Sequence, residues 1–211
     1  MAWVVAFVVA GLLIAGAASL FRHSERRTTD SLPPIGTVPD FSFTTQEGKT
    51  LTKADLLGKV WVADFIFTRC PGPCPIMSAR MAEVSRELTK TDDVRLVSVS
   101  IDPEHDNPAV LKEYASRLMA DPKHWIFLTG PKKEIRDFTT HGMLQALATD
   151  PSGTPTHSTR FLLIDREGRI RSTRNLEEPE LVQKLLMDIG DLLRETSPIR
   201  DSNTNAPPAT P

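Results

Sequence analysis

The sequence predicts an α/β domain in which a mixed β-sheet is flanked by helices. Apolar stretches rich in β-branched and aromatic residues, at 60–67, 94–101 and 125–128, alternate with segments whose apolar residues recur at helical spacing. Strands that alternate with helices indicate a parallel sheet. Near the C-terminus, residues 160–165 and 169–171 flank a Glu-Gly turn, which predicts a hairpin and therefore antiparallel strands in the same sheet.

Local signals support the individual elements of this prediction. Residues 46–48 form a Gln-Glu-Gly turn between two short stretches of β-forming residues, which predicts an N-terminal hairpin. The stretch 60–67 is apolar almost throughout, as expected for a strand buried in the middle of the sheet. Asn107 is a typical helix N-cap residue. Prolines mark the starts of the predicted helices, at Pro75, Pro108, Pro131 and Pro179.

Two cysteines, Cys70 and Cys74, lie where the predicted central strand meets the first long helix. A thiol pair at that junction of a mixed sheet is a thioredoxin-like arrangement, and we predict a thioredoxin-like fold. Prolines 71, 73 and 75 stiffen the loop, because each fixes its own φ and restricts the residue before it. Cys74 is predicted to begin the helix, where unpaired N–H groups and the helix dipole favour a thiolate.

Composition and length limit the classes of protein to consider. The 211 residues include 25 Lys and Arg against 27 Asp and Glu, a net charge of −2. This balance gives no electrostatic reason to expect a nucleic-acid partner. The length predicts one domain with additional segments at both ends. We place a transmembrane anchor at 1–22, a linker at 23–35, the thioredoxin-like domain at 36–195 and a disordered tail at 196–211.

The N-terminal segment 2–21 contains no charged side chain. A helix of about 20 residues spans about 30 Å, the thickness of the hydrocarbon core of a bilayer. We favour an uncleaved anchor over a cleavable signal peptide, because a basic opening segment is missing, although 15–17 (Ala-Gly-Ala) resembles a cleavage site. The arginines that follow, at positions 22, 26 and 27, would keep this flank in the cytoplasm by the positive-inside rule. The chemistry of the cysteine loop favours the opposite side, and we follow the chemistry.

The spacing of Cys70 and Cys74 indicates redox chemistry or metal binding. A disulfide between them would close a very small loop and add little chain-entropy stabilisation, so a purely structural disulfide is the weaker interpretation. Helical geometry puts the two Cα atoms about 6 Å apart, which suits either a disulfide or one soft metal ion. Two thiolates suit Cu(I), and an added imidazole gives a site that also holds Cu(II). A structural zinc site normally has four protein ligands, whereas the chain has only 2 cysteines.

His157 is the candidate third ligand. It lies in the turn-rich segment 153–158, just before a predicted strand, and in a thioredoxin-like sheet the loop entering that strand lies beside the cysteine loop. A surface histidine is the alternative interpretation. Met77 and Met81 have helical spacing, which indicates core residues rather than ligands. The remaining histidines have no such position and are interpreted as surface or packing residues: His23, His105, His124 and His141.

Three segments together resemble the Sco/SenC family. They are 65–78, which contains Cys-x-x-x-Cys-Pro, 98–104, which contains Asp-Pro-Glu, and the His-Ser pair at 157–158. The similarity runs from about Gly36 to about Gly190, and this combination is far more specific than the cysteine spacing alone.

The resemblance implies a copper metallochaperone that helps assemble the dinuclear copper centre of cytochrome c oxidase. The ligands would be Cys70, Cys74 and His157, holding one copper ion, Cu(I) or Cu(II), per monomer. The partners would be the membrane, the copper-receiving subunit of the oxidase and a thiol–disulfide reductant. Members of the family face the bacterial periplasm or the mitochondrial intermembrane space. We expect a single-pass protein of the bacterial inner membrane with its domain in the periplasm, rather than a mitochondrial one.

Two positions of the family pattern need separate comment. The acidic residue of its Asp-Pro-Glu element falls on Asp102, which would support the ligands or bind weakly itself, with a simple turn residue as the alternative. The Asp that usually precedes the histidine is replaced here by Thr156. This removes a carboxylate that could orient the imidazole, so the affinity and redox potential are affected more than the identity of the ligands.

A thiol–disulfide oxidoreductase is the main alternative function, an enzyme whose redox-active pair would be Cys70 and Cys74. The loop could cycle between dithiol and disulfide, and a copper-receiving protein needs its own cysteines reduced. Thioredoxins, however, have Trp before a two-residue spacer, whereas Arg69 precedes a three-residue spacer here. A thiol peroxidase would carry Thr three residues before the reactive cysteine, where this chain has Phe67.

Overall fold

A computed structural model of the chain describes residues 32–88, 91–143, 147–149 and 155–195. The predicted anchor at 1–22, most of the linker and the predicted tail at 196–211 lie outside these ranges, so they stay predictions. Within the described ranges, no helix has the length and apolar character needed to cross a membrane. All the elements named below belong to one compact unit, Pro34–Pro211.

The strands of the described ranges are β1 (Gly36–Thr37), β2 (Ser42–Thr45), β3 (Thr50–Thr52), β4 (Val60–Ile66), β5 (Val94–Ser100), β6 (Trp125–Thr129), β7 (Leu147–Thr149), β8 (Pro155–His157), β9 (Arg160–Ile164) and β10 (Arg169–Asn175). The helices are α1 (Lys53–Leu56), α2 (Cys74–Glu87), α3 (Pro108–Arg117), α4 (Lys132–Asp137) and α5 (Leu181–Arg194), and a π-helical turn, Phe138–Gly142, follows α4.

The sheet is mixed, as the sequence predicts. Its eight strands follow the order β1-β10-β9-β4-β5-β6-β2-β3. The three central strands, β4, β5 and β6, run parallel, and the flanking pairs are antiparallel. The predicted hairpins are both present, as β2–β3 and β9–β10. A separate two-stranded sheet pairs β7 with β8.

Both faces of β4 are covered. Trp61, Ala63 and Phe65 point into a core that also contains Leu56 of α1 and Ile135 of α4. Side chains alternate between the two faces of a strand, so the intervening residues of β4 point to the opposite face, where they are equally buried. Burial on both faces explains why this stretch of sequence is apolar almost throughout.

Helix α2 begins directly after the cysteine loop and buries one side against the sheet. Met77 and Met81 have no exposed surface, so the prediction that they are core residues is confirmed. The predicted N-cap of α3 is also confirmed, because the Asn107 side chain accepts a hydrogen bond from the backbone N–H of Val110 at 3.1 Å.

The sequence analysis did not predict helix α1 or strand β7, and three further features differ from the prediction. Gly36–Thr37 forms a short strand because it pairs with β10, a contact that the local sequence does not indicate. The turn-rich segment before β9 contains the strand β8. Helix α5 begins at Leu181 rather than near Pro179, because Glu180 adopts a left-handed conformation (φ 57°).

Candidate metal and redox site

The two cysteines lie between the end of β4 and the start of α2. The backbone N–H of Cys70 donates to the carbonyl oxygen of Phe67 at 3.2 Å and closes a turn. The backbone N–H of Gly72 donates to the Cys70 sulfur at 3.4 Å. Cys74 is the first residue of α2, and Pro73 is its N-cap. The sequence prediction that the cysteines sit at a strand–helix junction is therefore confirmed.

The two thiols differ in exposure. The two cysteines form no disulfide; Cys70 is half-buried, whereas Cys74 has no exposed surface. Burial raises the pKa of the Cys74 thiol far above its ordinary value, and a hydrogen bond with Cys70 raises it further. This outcome differs from the expectation that the helix N-terminus would favour a thiolate at Cys74. The main cause is the loss of solvation at the buried sulfur, which disfavours the charged thiolate.

Asp64, in the middle of β4, is a buried acid beside the site. It has no exposed surface, and neither carboxyl oxygen has a hydrogen bond of normal geometry within the described ranges. Ser98 lies opposite Asp64 on β5 and its hydroxyl opposes the effect of burial, but burial still raises the pKa of Asp64 to about 7. The charge of Asp64, when present, in turn raises the pKa of the Cys74 thiol.

The sequence analysis did not assign Asp64 any role. One signal was available, because Asp64 is the single charged residue in the apolar stretch 60–67. A charged side chain in a strand predicted to be buried on both faces must be paired or have a shifted pKa.

Asp102 contacts the cysteine loop through the residue before Cys70. Its carboxylate accepts from Arg69 Nε at 3.0 Å and pairs with His105 Nδ1 at 3.1 Å. Asp102 is almost fully buried, whereas about half of each partner side chain is exposed. Asp102 therefore supports the cysteine loop in this structure, and its suggested role toward a metal stays a prediction.

His157 ends β8, with its backbone opposite Leu147 of β7. The following strand, β9, runs antiparallel to β4, so the start of β9 lies at the same end of the sheet as the end of β4. The backbone of His157 therefore lies near the end of the sheet that also carries the cysteine loop. The assignment of His157 as a third ligand stays a prediction. Among the side chains that the structure describes, no group of three or more His, Cys, Asp or Glu is arranged to hold a metal ion.

The other described histidines have contacts that fit their interpretation as surface or packing residues. His124 bridges the carboxylates of Asp121 and Asp92, at 3.0 and 3.1 Å. His141 is exposed and lies 3.2 Å from the hydroxyl of Thr140.

Comparison with known proteins decides the family. A family model described as SCO1/SenC matches residues 30–193. The chain belongs to the SCO1/SenC family. The resemblance drawn from the cysteine loop, the Asp-Pro-Glu element and the His-Ser pair is thereby confirmed.

Individual members of the SCO1/SenC family show how similar this chain is to them. The SCO1 protein homolog of Bacillus subtilis is 35% identical over 156 residues, which cover 72% of this chain and 80% of that protein. BsSco is described as a member of the Sco family of cytochrome c oxidase assembly proteins and as containing a disulfide switch. Its structure matches this chain with a TM-score of 0.69 and 32% identity, over 78% of this chain and 99% of that one. ScoI of Bradyrhizobium japonicum, solved with copper bound, has a TM-score of 0.63 and 31% identity over 74% of this chain and 99% of that one.

Proposed function

We propose that this chain is a copper metallochaperone for cytochrome c oxidase assembly. Cys70, Cys74 and His157 would hold one copper ion per monomer, and the domain would deliver it to the copper-receiving subunit of the oxidase. The anchor at 1–22 would keep the domain at the membrane, on the periplasmic side. Family membership and the copper-bound ScoI of Bradyrhizobium japonicum support this proposal.

One observation carries the proposal, namely that Cys70, in the loop after β4, and Cys74, the first residue of α2, form no disulfide and lie close enough for Cys70 to raise the pKa of the Cys74 thiol. Two sulfurs held this close need little reorganisation to bind a single soft ion. The copper ion would displace the protons of both thiols, so the copper affinity should increase with pH.

Delivery requires a site that a partner can reach. Cys70 is half-buried and lies in a loop whose neighbouring Pro71 and Gly72 are exposed, so an incoming thiolate could approach it from solvent. In ligand exchange, His157 would leave first, because a neutral imidazole binds a soft ion less strongly than a thiolate does.

A histidine pair tests the third ligand. His157→Ala is expected to abolish tight Cu(II) binding and to leave disulfide formation between the cysteines intact. His141→Ala, at an exposed histidine of the π-helical turn, is the matched control and is expected to bind Cu(II) as the native chain does. Isothermal titration under argon measures both. Native-like Cu(II) affinity in His157→Ala would remove His157 from the site.

A thiol–disulfide oxidoreductase is the second candidate function, and the contact between the two thiols favours it as well. A disulfide switch is described for the structural neighbour BsSco. The two functions differ in their need for His157. Reduction of a disulfide substrate by the native chain at the same rate as by His157→Ala, with no copper bound by either, would favour the oxidoreductase.

A further inference from the structure

The two residues that precede Cys70 are held by a loop distant in sequence. Asp102 contacts Arg69, as described above, and Asp106 contacts Thr68. Both acids belong to the segment between β5 and α3, and Asp106 is separated from Thr68 by 38 positions. In the Arg69 contact about half of the arginine side chain is exposed, and solvent exposure reduces the contribution of an ion pair to stability.

Asp106 makes the stronger contact. Its side chain has no exposed surface, and it accepts three hydrogen bonds. The backbone N–H of Thr68 donates to Oδ2 at 3.0 Å, the Thr68 hydroxyl donates to Oδ1 at 2.5 Å, and the Ser100 hydroxyl donates to Oδ2 at 2.5 Å. We call this group, Asp106 with Thr68 and Ser100, the carboxylate clasp. All three donors point to one carboxylate, and hydrogen bonds to a carboxylate are stronger than those between neutral groups.

The loop that carries Asp106 is itself fixed at both ends. The backbone N–H of Asp106 donates to the carbonyl oxygen of Asp102 at 2.9 Å, which closes a tight turn after β5. The next residue, Asn107, is the N-cap of α3. Because the turn and the helix N-cap hold Asp106 on both sides, its carboxylate can move little if Thr68 moves. The carboxylate clasp therefore fixes Thr68 to the sheet.

Fixing Thr68 also restricts Cys70, and this in turn restricts the separation of the two sulfurs. Thr68 lies inside the turn that the Cys70 N–H closes on Phe67, so fixing Thr68 fixes the direction in which Cys70 leaves β4. Cys74 is placed independently, because it is part of helix α2. The separation of the two sulfurs thus depends on how rigidly Cys70 is held.

We infer that Asp106 is a positioning residue for the cysteine pair, which it holds ready to bind one metal ion or to form one disulfide. This inference rests on the proposed function only for the identity of the metal, since the same positioning serves disulfide formation. The Asp106 side chain hydrogen-bonds to Thr68 and Ser100 rather than to either sulfur, and it acts by limiting the conformations of the loop before Cys70.

Asp106→Asn in the full chain tests the inference. Asn keeps the shape of Asp but replaces one acceptor oxygen by a donor, so at least one of the three buried donors loses its partner. We expect the dithiol–disulfide equilibrium constant, measured against dithiothreitol by thiol quantification, to shift at least tenfold toward the dithiol. A tenfold shift corresponds to about 30 mV for this two-electron couple. Cu(I) affinity, measured by competition with a chromophoric chelator, should fall at least tenfold.

Asp188→Asn is the matched control. Asp188 is also a nearly buried acid, but its hydrogen bonds go to Ser172 and Arg174 on β10 rather than to the residues before Cys70. Both variants should lower the midpoint of urea unfolding, and only Asp106→Asn should shift the disulfide equilibrium. An equal shift in both variants, or in neither, would show that Asp106 is merely structural.

A second pair covers the case in which Asp106→Asn does not fold. Thr68→Val removes the hydroxyl donor and keeps the backbone donor, and it should shift the disulfide equilibrium at least threefold. Thr68→Ser keeps the hydroxyl and should restore the native value. An unchanged equilibrium in Thr68→Val would overturn the inference. Because the disulfide measurement needs no copper, a native chain that binds no copper would contradict the proposed function without deciding the role of Asp106.

Discussion

Burial gives the two cysteines different chemical properties. Cys70 is half-buried, whereas Cys74 is fully buried and its thiol has a strongly raised pKa. Only the thiolate reacts rapidly with alkylating agents, and the agent must also reach the sulfur. At pH 8, we expect Cys70 in Cys74→Ser to be alkylated by iodoacetamide at least ten times faster than Cys74 in Cys70→Ser. Mass spectrometry of timed samples measures both rates, and equal rates would contradict the burial of Cys74.

Asp64 makes the stability of the domain depend on pH. A carboxyl whose pKa is raised on folding contributes its full stability below the unfolded value near 3.8, and this contribution is lost as the pH rises through about 7. Between pH 5 and pH 8 the loss amounts to about 2–3 kcal/mol, from about 1.4 kcal/mol per pH unit over two units. Asp64→Asn cannot ionise, so urea unfolding should show that its stability relative to the native chain increases by about 2–3 kcal/mol from pH 5 to pH 8.

Asp40→Asn is a control for this experiment, because Asp40 is almost fully exposed. It should change the unfolding free energy equally little at the two pH values. If Asp64→Asn has the same effect at pH 5 and pH 8, the buried carboxyl does not titrate in this range.

At the scale of elements, the N-cap of α3 contributes local stability next to the carboxylate clasp. Asn107→Ala removes the side-chain acceptor for the Val110 N–H, and such changes cost about 1 kcal/mol. Asn107→Ser, which keeps an N-cap acceptor, should recover most of that loss. Urea unfolding followed by circular dichroism measures both. If Asn107→Ala is as stable as the native chain, the cap bond does not contribute to stability.

Elements with local signals could be predicted from the sequence, and elements that depend on distant partners could not. The Asn107 cap and the parallel strands β4, β5 and β6 follow from side chains within each segment. Strand β1 exists because Gly36–Thr37 pairs with β10. Two residues without a repeating pattern give no strand signal, so only the three-dimensional contact reveals it.

At the scale of the whole molecule, the same distinction applies to the candidate site. The sequence predicted the positions of Cys70 and Cys74 at a strand–helix junction, because the surrounding pattern and prolines are local. It did not predict that burial would raise the pKa of the Cys74 thiol, since burial depends on how α2 packs on the sheet. It also gave no role to Asp64 or Asp106, whose neighbours come from other strands and loops.

The proposed function requires the groups beyond the C-terminal end of β4 to act as one copper site. Cys70 lies in the loop after β4, and Cys74 is the first residue of α2. The backbone of His157, at the end of β8, lies near the same end of the sheet. The stoichiometry of copper on the reduced full chain, purified in detergent, tests this most directly.

The measurement compares the native chain with a Cys70→Ser/Cys74→Ser variant by metal analysis and ultraviolet–visible spectroscopy. We predict one equivalent of copper per native chain, with thiolate-to-Cu(II) charge-transfer bands that the variant lacks. A native chain that binds no copper and instead forms a disulfide readily would contradict the copper site and favour the oxidoreductase.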